Sequence, residues 1–81
     1  MLENWKQIAA DEAYGQLGLI CVEPGTTVYV CDNGDMMETV CRSDEIDKWC
    51  YNGVSHDDWS ELLMEGFGDT PEEAYANREY C

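Results

Sequence analysis

The chain has 81 residues, with 18 Asp plus Glu against 4 Lys plus Arg and a formal net charge of -14 at pH 7. Four scattered cations cannot neutralise a run of phosphates, which excludes direct binding of DNA or RNA through a basic patch and argues against an anionic membrane surface. A hydrophobic content of 44%, with Trp 3 and Tyr 5, suits one folded acidic domain over residues 1–81 rather than a disordered tail.

Leu2, Trp5, Ile8, Ala9 and Ala13 recur at helical spacing, with Glu3, Lys6, Gln7 and Asp11 opposite them. A helix over 2–14, stopped by Gly15, is the expectation. Leu17–Glu23 then reads as a strand ending at Pro24-Gly25. Thr26–Cys31 and Met36–Cys41 read as two more strands joined at Asn33-Gly34, a strong hairpin signal. A two-residue turn there pairs Cys31 with Met36, Val30 with Met37 and Val28 with Thr39. Val28, Val30, Met37 and Cys41 then share one face, and Tyr29, Cys31, Met36 and Val40 the other. Both faces are apolar enough to need cover. The Asp32–Asp35 tip is no calcium loop, because setting Gly34 at that loop's glycine position puts Tyr29 at the first ligand.

Ser43–Asn52 reads as a short helix: Ser43 caps it, Asp44, Glu45 and Asp47 fill its first turn, and Gly53 follows its end. Its buried stripe is Ile46, Trp49 and Cys50. Ser55-His56-Asp57-Asp58 opens a further helical segment through Trp59, Leu62, Leu63 and Gly66. A strand with Trp59, Glu61, Leu63 and Phe67 on one face is the competing assignment. Gly66-Phe67-Gly68 reads as a turn, and Thr70-Pro71-Glu72-Glu73 is a capping box with proline at the first helical position. That last helix is expected to run toward Tyr80. The expected fold is α+β: a three-stranded antiparallel meander with an N-terminal helix and two or three short C-terminal helices.

Chemistry-bearing residues are few. The five cysteines, Cys21, Cys31, Cys41, Cys50 and Cys81, form no C-x-x-C pair and match no zinc spacing. A zinc site from distant thiols plus His56 is the lesser alternative to Cys21, Cys31 and Cys50 as small buried hydrophobes, and Cys81 at the chain end is expected to be exposed. The first residues lack the basic and apolar regions of a secretory signal, so free thiols in a reducing cytoplasm are expected. No apolar run is long enough to cross a bilayer. His56 beside Asp57 and Asp58 is the one acid–base constellation, and it reads foremost as a solvated helix start capped by Ser55 rather than as a catalytic group. No phosphate loop, dinucleotide fingerprint or nucleophile elbow occurs. The expectation is a protein without catalytic residues, cofactor or metal.

The acids carry the remaining signal. A chain of this length has a diameter of roughly 30 Å. Fourteen net charges over that span give roughly one per 2.1 Å, against about one per 1.7 Å along duplex DNA. Between residues 44 and 69 eight acids face only Lys48. Asp44, Glu45, Asp47, Asp57, Asp58, Glu61 and Glu65, with Trp59 as a flat anchor, are therefore the candidate partner-binding residues. Trp49 and Tyr51 lie among them and read as either anchors or core.

In size, charge and layout the chain resembles the small acidic anti-CRISPR inhibitors of phages, some of which mimic DNA. Separately, Gly66-Phe67-Gly68-Asp69-Thr70-Pro71-Glu72-Glu73-Ala74 resembles a G-x-G-x-T-x-x-E-A segment of small phage proteins and HicB-type antitoxins. The first resemblance implies a non-enzymatic inhibitor of a basic nucleic-acid-binding protein, a CRISPR effector above all, but implies no particular site residue. The second implies turn-into-helix capping, without the DNA-binding tail of a HicB protein. An acidic halophile-type interaction domain, an antitoxin-like partner of a basic toxin and a thiolate metal binder are the alternatives.

Overall fold

The computed structural model describes residues 2–17 and 21–81. Among them the elements are β1 (Lys6–Ala9), α1 (Ala10–Leu17), β2 (Thr27–Asp32), β3 (Met36–Ser43), β4 (Lys48–Ser55), β5 (Leu62–Gly68), α2 (Pro71–Ala76) and β6 (Glu79–Tyr80). The strands form one six-stranded antiparallel sheet whose spatial order is the chain order. One short helix packs on each side. This overturns the expected three-stranded meander with several helices.

The N-terminal correction has a packing cause. Leu2, Ile8 and Ala13 are all buried, as a helical stripe would require, but not together. Leu2 joins Val40, Tyr51, Met64 and Ala74 on one side of the sheet, whereas Ile8 and Ala13 join Val28 and Cys41 on the other. A single helix over 2–14 cannot reach both. The chain instead turns at Trp5, whose N–H donates to the Leu2 carbonyl at 3.0 Å. It pairs Ile8 with Val28 as β1 and becomes helical only from Ala10.

The expected strand Leu17–Glu23 falls partly outside the described residues. Of its remainder, Val22 makes an isolated antiparallel bridge to Ser43. The β2–β3 hairpin is present with a different register. Asn33 N–H donates to the Met36 carbonyl at 3.1 Å, so the loop is Gly34-Asp35, one residue later than expected. Gly34 has a φ of 89°, at the first central position where a type II′ turn takes glycine. Val30 therefore faces Thr39, and Cys31 faces Glu38. A shift of two residues preserves side-chain parity, so Val28 and Cys41 still share a face.

Two expected helices are strands. Lys48–Ser55 alternates, with Trp49, Tyr51 and Gly53 on one face and Cys50, Asn52 and Val54 on the other. The serine and acids that resemble a helix cap build the β3–β4 turn instead. Ser43 Oγ accepts from Glu45 N–H at 3.2 Å, and Asp47 takes the left-handed conformation at φ 54°, which aspartate tolerates. No helix starts at Ser55; residues 56–61 form a loop into β5, and the competing strand assignment comes nearer to Leu62–Gly68.

The C-terminal cap matches its sequence signature. Thr70 Oγ1 accepts from Glu73 N–H at 3.1 Å, while Glu73 reaches back to accept from Asp69 N–H at 3.0 Å. The helix ends at Ala76 rather than near Tyr80, and the chain returns as β6. Gly66 and Gly68 lie in β5, not in a turn. A Cβ on Gly66 would stand 2.4 Å from the Ala74 carbonyl oxygen, and one on Gly68 2.5 Å from Glu73 Cβ. The G-x-G of the motif thus lets α2 lie directly on the strand. Tyr75 of α2 meets Trp5 edge-on at 5.5 Å and Tyr51 at 5.7 Å, closing the core on that side.

Candidate functional site

An antiparallel meander sends alternate connections to the same end of the sheet. The β2–β3 turn and the β4–β5 loop therefore meet at one end, and the β3–β4 turn lies at the other. The candidate partner-binding residues divide accordingly. Asp57, Asp58, Trp59 and Glu61 occupy the first end; Asp44, Glu45 and Asp47 occupy the second; half-buried Glu65 sits on β5, opposite Asn52 and Glu79. Eight residues of β4 separate the two groups, about 25 Å at the rise of a strand. They do not form one surface.

At the first end the fold adds two acids absent from the sequence-derived set. Asp32 and Asp35 of the β2–β3 turn stand beside the β4–β5 loop. His56 joins the two: its N–H donates to the Asp35 carbonyl at 3.3 Å, and its Nε2 lies 3.1 Å from Asp32 Oδ2. The loop is braced from within, for Ser55 N–H donates to the Glu61 carbonyl at 2.9 Å, and Ser60 donates to Asp58 Oδ1 through N–H and hydroxyl. Those Ser60 bonds, the hydroxyl above all, hold the Asp58 carboxyl below its usual range. Bonds from Gly34 N–H and then His56 do the same for Asp32. These two loops hold five carboxylates, Asp32, Asp35, Asp57, Asp58 and Glu61, with no Lys or Arg in either segment. Trp59 lies among them at 45% exposure and Leu62 at 39%, which places apolar contact area within the acidic surface.

The opposite end is mixed in charge. Arg42 binds Glu23 at 2.7 Å and also pairs with Asp47, while Lys48 lies 3.2 Å from Asp69. Arg78 lies over the Tyr75 ring, 3.9 Å from its centroid, on the side of the sheet that α2 covers. Acids occur at both ends; Arg42 and Lys48 are paired at the second, and Lys6 of β1, opposite Val30, lies toward the first. The antiparallel topology that sorts the loops is the signal that would have added Asp32 and Asp35 to the site.

The second end also holds one set of potential metal ligands among the described residues. Cys21 Sγ and the carboxylates of Asp44 and Glu45 lie within 4.8 Å of one another. The Cys21 thiol donates to Glu45 Oε1 at 2.5 Å, and that bond raises its pKa, so the proton a metal would displace is held in place. Burial raises the Cys31 and Cys50 thiols and pushes Cys41 up to about 12. None of these four thiols is tuned as a nucleophile. His56 contacts Asp32 rather than its neighbours Asp57 and Asp58, and it does so on an exposed rim.

Trp49 and Tyr51, read from sequence as anchors or core, belong to the core side of the sheet, Tyr51 being fully buried. No helix among the described residues is long and apolar enough to cross a membrane. No protein-family model matches the chain, and no curated protein or solved structure matches it either.

Proposed function

We propose that this chain is a non-catalytic acidic inhibitor that binds a cationic, nucleic-acid-binding protein through the end of the sheet carrying the β2–β3 turn and the β4–β5 loop. The observation that carries this reading is the distribution of cations. Arg42 and Lys48 are spent on carboxylates at the opposite end, while the two loops that carry Asp32, Asp35, Asp57, Asp58 and Glu61 contain no Lys or Arg; one lysine, Lys6 of β1, lies toward that end, opposite Val30. Field from such an end reaches a Lys/Arg-lined groove over roughly one Debye length, about 8 Å at physiological salt, and steers encounter. Trp59 then supplies the desolvated anchor that charge alone lacks.

The resemblance to anti-CRISPR inhibitors makes a CRISPR effector in a bacterial cytoplasm the first partner class to test. The chain would hold the channel that the nucleic acid otherwise fills. A brine-adapted acidic domain has no need of five acids gathered in two adjoining loops, and its characteristic response, unfolding in dilute buffer, separates it from this reading.

The test is a pair of neutralised variants assayed for binding to an effector retained by the wild-type chain. Asp57→Asn/Asp58→Asn/Glu61→Gln is expected to weaken binding by about tenfold or more. Asp44→Asn/Glu45→Gln/Asp47→Asn is expected to leave it nearly unchanged. Equal loss in both, or binding indifferent to salt, overturns the assignment of this end.

A further inference from the structure

Two Asn-Gly dipeptides occur in the chain, Asn33-Gly34 and Asn52-Gly53, and the fold treats them differently. In an Asn-Gly pair the glycine nitrogen has the least obstructed approach to the preceding side-chain amide, because no side chain blocks the five-membered ring. Asn52-Gly53 is fixed within β4, with Gly53 opposite Glu38 on one neighbour and Met64 on the other. A Cβ on Gly53 would stand 2.9 Å from the Tyr51 hydroxyl, so this stretch of backbone is closely packed. Asn33-Gly34 lies at the exposed tip of β2–β3, where a Cβ on Gly34 would meet nothing within 4 Å.

Three of the hydrogen bonds around Asn33 and Gly34 favour loss of the Asn33 amide. The N–H groups of Asp35 and Met36 donate to Oδ1 at 2.9 and 2.7 Å, where negative charge gathers as the amide carbon becomes tetrahedral. Gly34 N–H donates to Asp32 Oδ1 at 2.9 Å, placing an acceptor against the proton of the attacking nitrogen. A fourth bond, from Nδ2 to Glu38 Oε1 at 2.9 Å, is broken as that nitrogen departs.

We propose that Asn33 is a site of spontaneous deamidation in the folded protein and that Asn52 is not. Gly34 N forms a bond to Asn33 Cγ as the Cγ–Nδ2 bond breaks, and the proton lost from Gly34 N leaves with that nitrogen as ammonia. Water then opens the succinimide at one carbonyl or the other, to leave aspartate or isoaspartate at position 33. Either product removes the donor that met Glu38 and sets a second carboxylate near it. The turn loses its tie to the core, and the acidic end gains one charge.

The experiment ages the purified full chain near neutral pH and maps amide loss and isoaspartate by mass spectrometry, native and in concentrated urea. In the native chain Asn33 converts at least about tenfold faster than Asn52, a modest demand for a site with two oxyanion donors. In urea the two rates converge. Equal native rates overturn the proposal, as does a native Asn33 that stays intact while both residues convert in urea. Asp32→Ala slows native conversion at Asn33, and an unchanged or faster rate overturns the part given to Asp32.

Discussion

Tyr51 sets its hydroxyl 2.5 Å from Oε2 of Glu38, a buried carboxylate on the neighbouring strand. The other Glu38 oxygen accepts from Asn33 Nδ2, so one acid links β4, β3 and the turn at the acidic end. Tyr51→Phe leaves that carboxylate buried with one partner fewer. The expected cost is about 1–3 kcal/mol, read as a lower urea midpoint. A midpoint unchanged from wild type would show that Glu38 finds another partner.

Alkaline stability follows from two buried groups. The Tyr51 phenol is raised above its ordinary 10.0 by burial and then by Glu38, and burial lifts the Cys41 thiol from 9.0 to about 12. Both are raised in the folded chain, so the unfolded chain releases these protons first. Their stabilisation is complete below the ordinary values and is lost as pH climbs through the window between ordinary and shifted values. Denaturant midpoints are expected to fall from near pH 9 upward. Cys41→Ala and Tyr51→Phe each flatten that decline, whatever their effect at neutral pH.

The seat of α2 gives a sharper structural expectation. Gly66→Ala drives a methyl against the Ala74 carbonyl and within 2.8 Å of Arg78 N, both backbone, so no side chain can swing aside. Displacing the helix is expected to cost about 1–3 kcal/mol, or more if the Tyr51–Tyr75 contact opens. Gly15→Ala, whose added Cβ meets nothing within 4 Å, serves as the mild control. Thermal melts of the two variants check this, the first falling by several degrees and the second staying near wild type.

How much of this was legible from sequence depends on the range of the interactions. The segment from Asp69 to Ala76 reads correctly because its bonds, Thr70 to Glu73 and Glu73 to Asp69, are local. The β2–β3 hairpin is legible in position and facing, but its register rests on the Asn33–Met36 bond and the positive φ of Gly34. Residues 43–61 mislead, because a serine followed by three acids caps a helix and shapes a tight turn by the same hydrogen bonding. Only the pairing of Cys41 with Cys50 and Tyr51 with Val40 decides between them, and that information is not local. The site suffers from the same gap. Asp57, Asp58, Glu61 and Trp59 are legible as acids with an anchor, but joining Asp32 and Asp35 to them, and separating Asp44, Glu45 and Asp47, requires the strand order.

Competition is the most direct test of the proposed inhibitor. An effector held by the immobilised chain is challenged with duplex DNA of its own binding class at physiological salt. DNA is expected to displace the chain in a concentration-dependent way, and the Asp57→Asn/Asp58→Asn/Glu61→Gln variant is expected to be displaced by about tenfold less DNA. A partner that carries the chain and its nucleic acid together, with both at full occupancy, would contradict it.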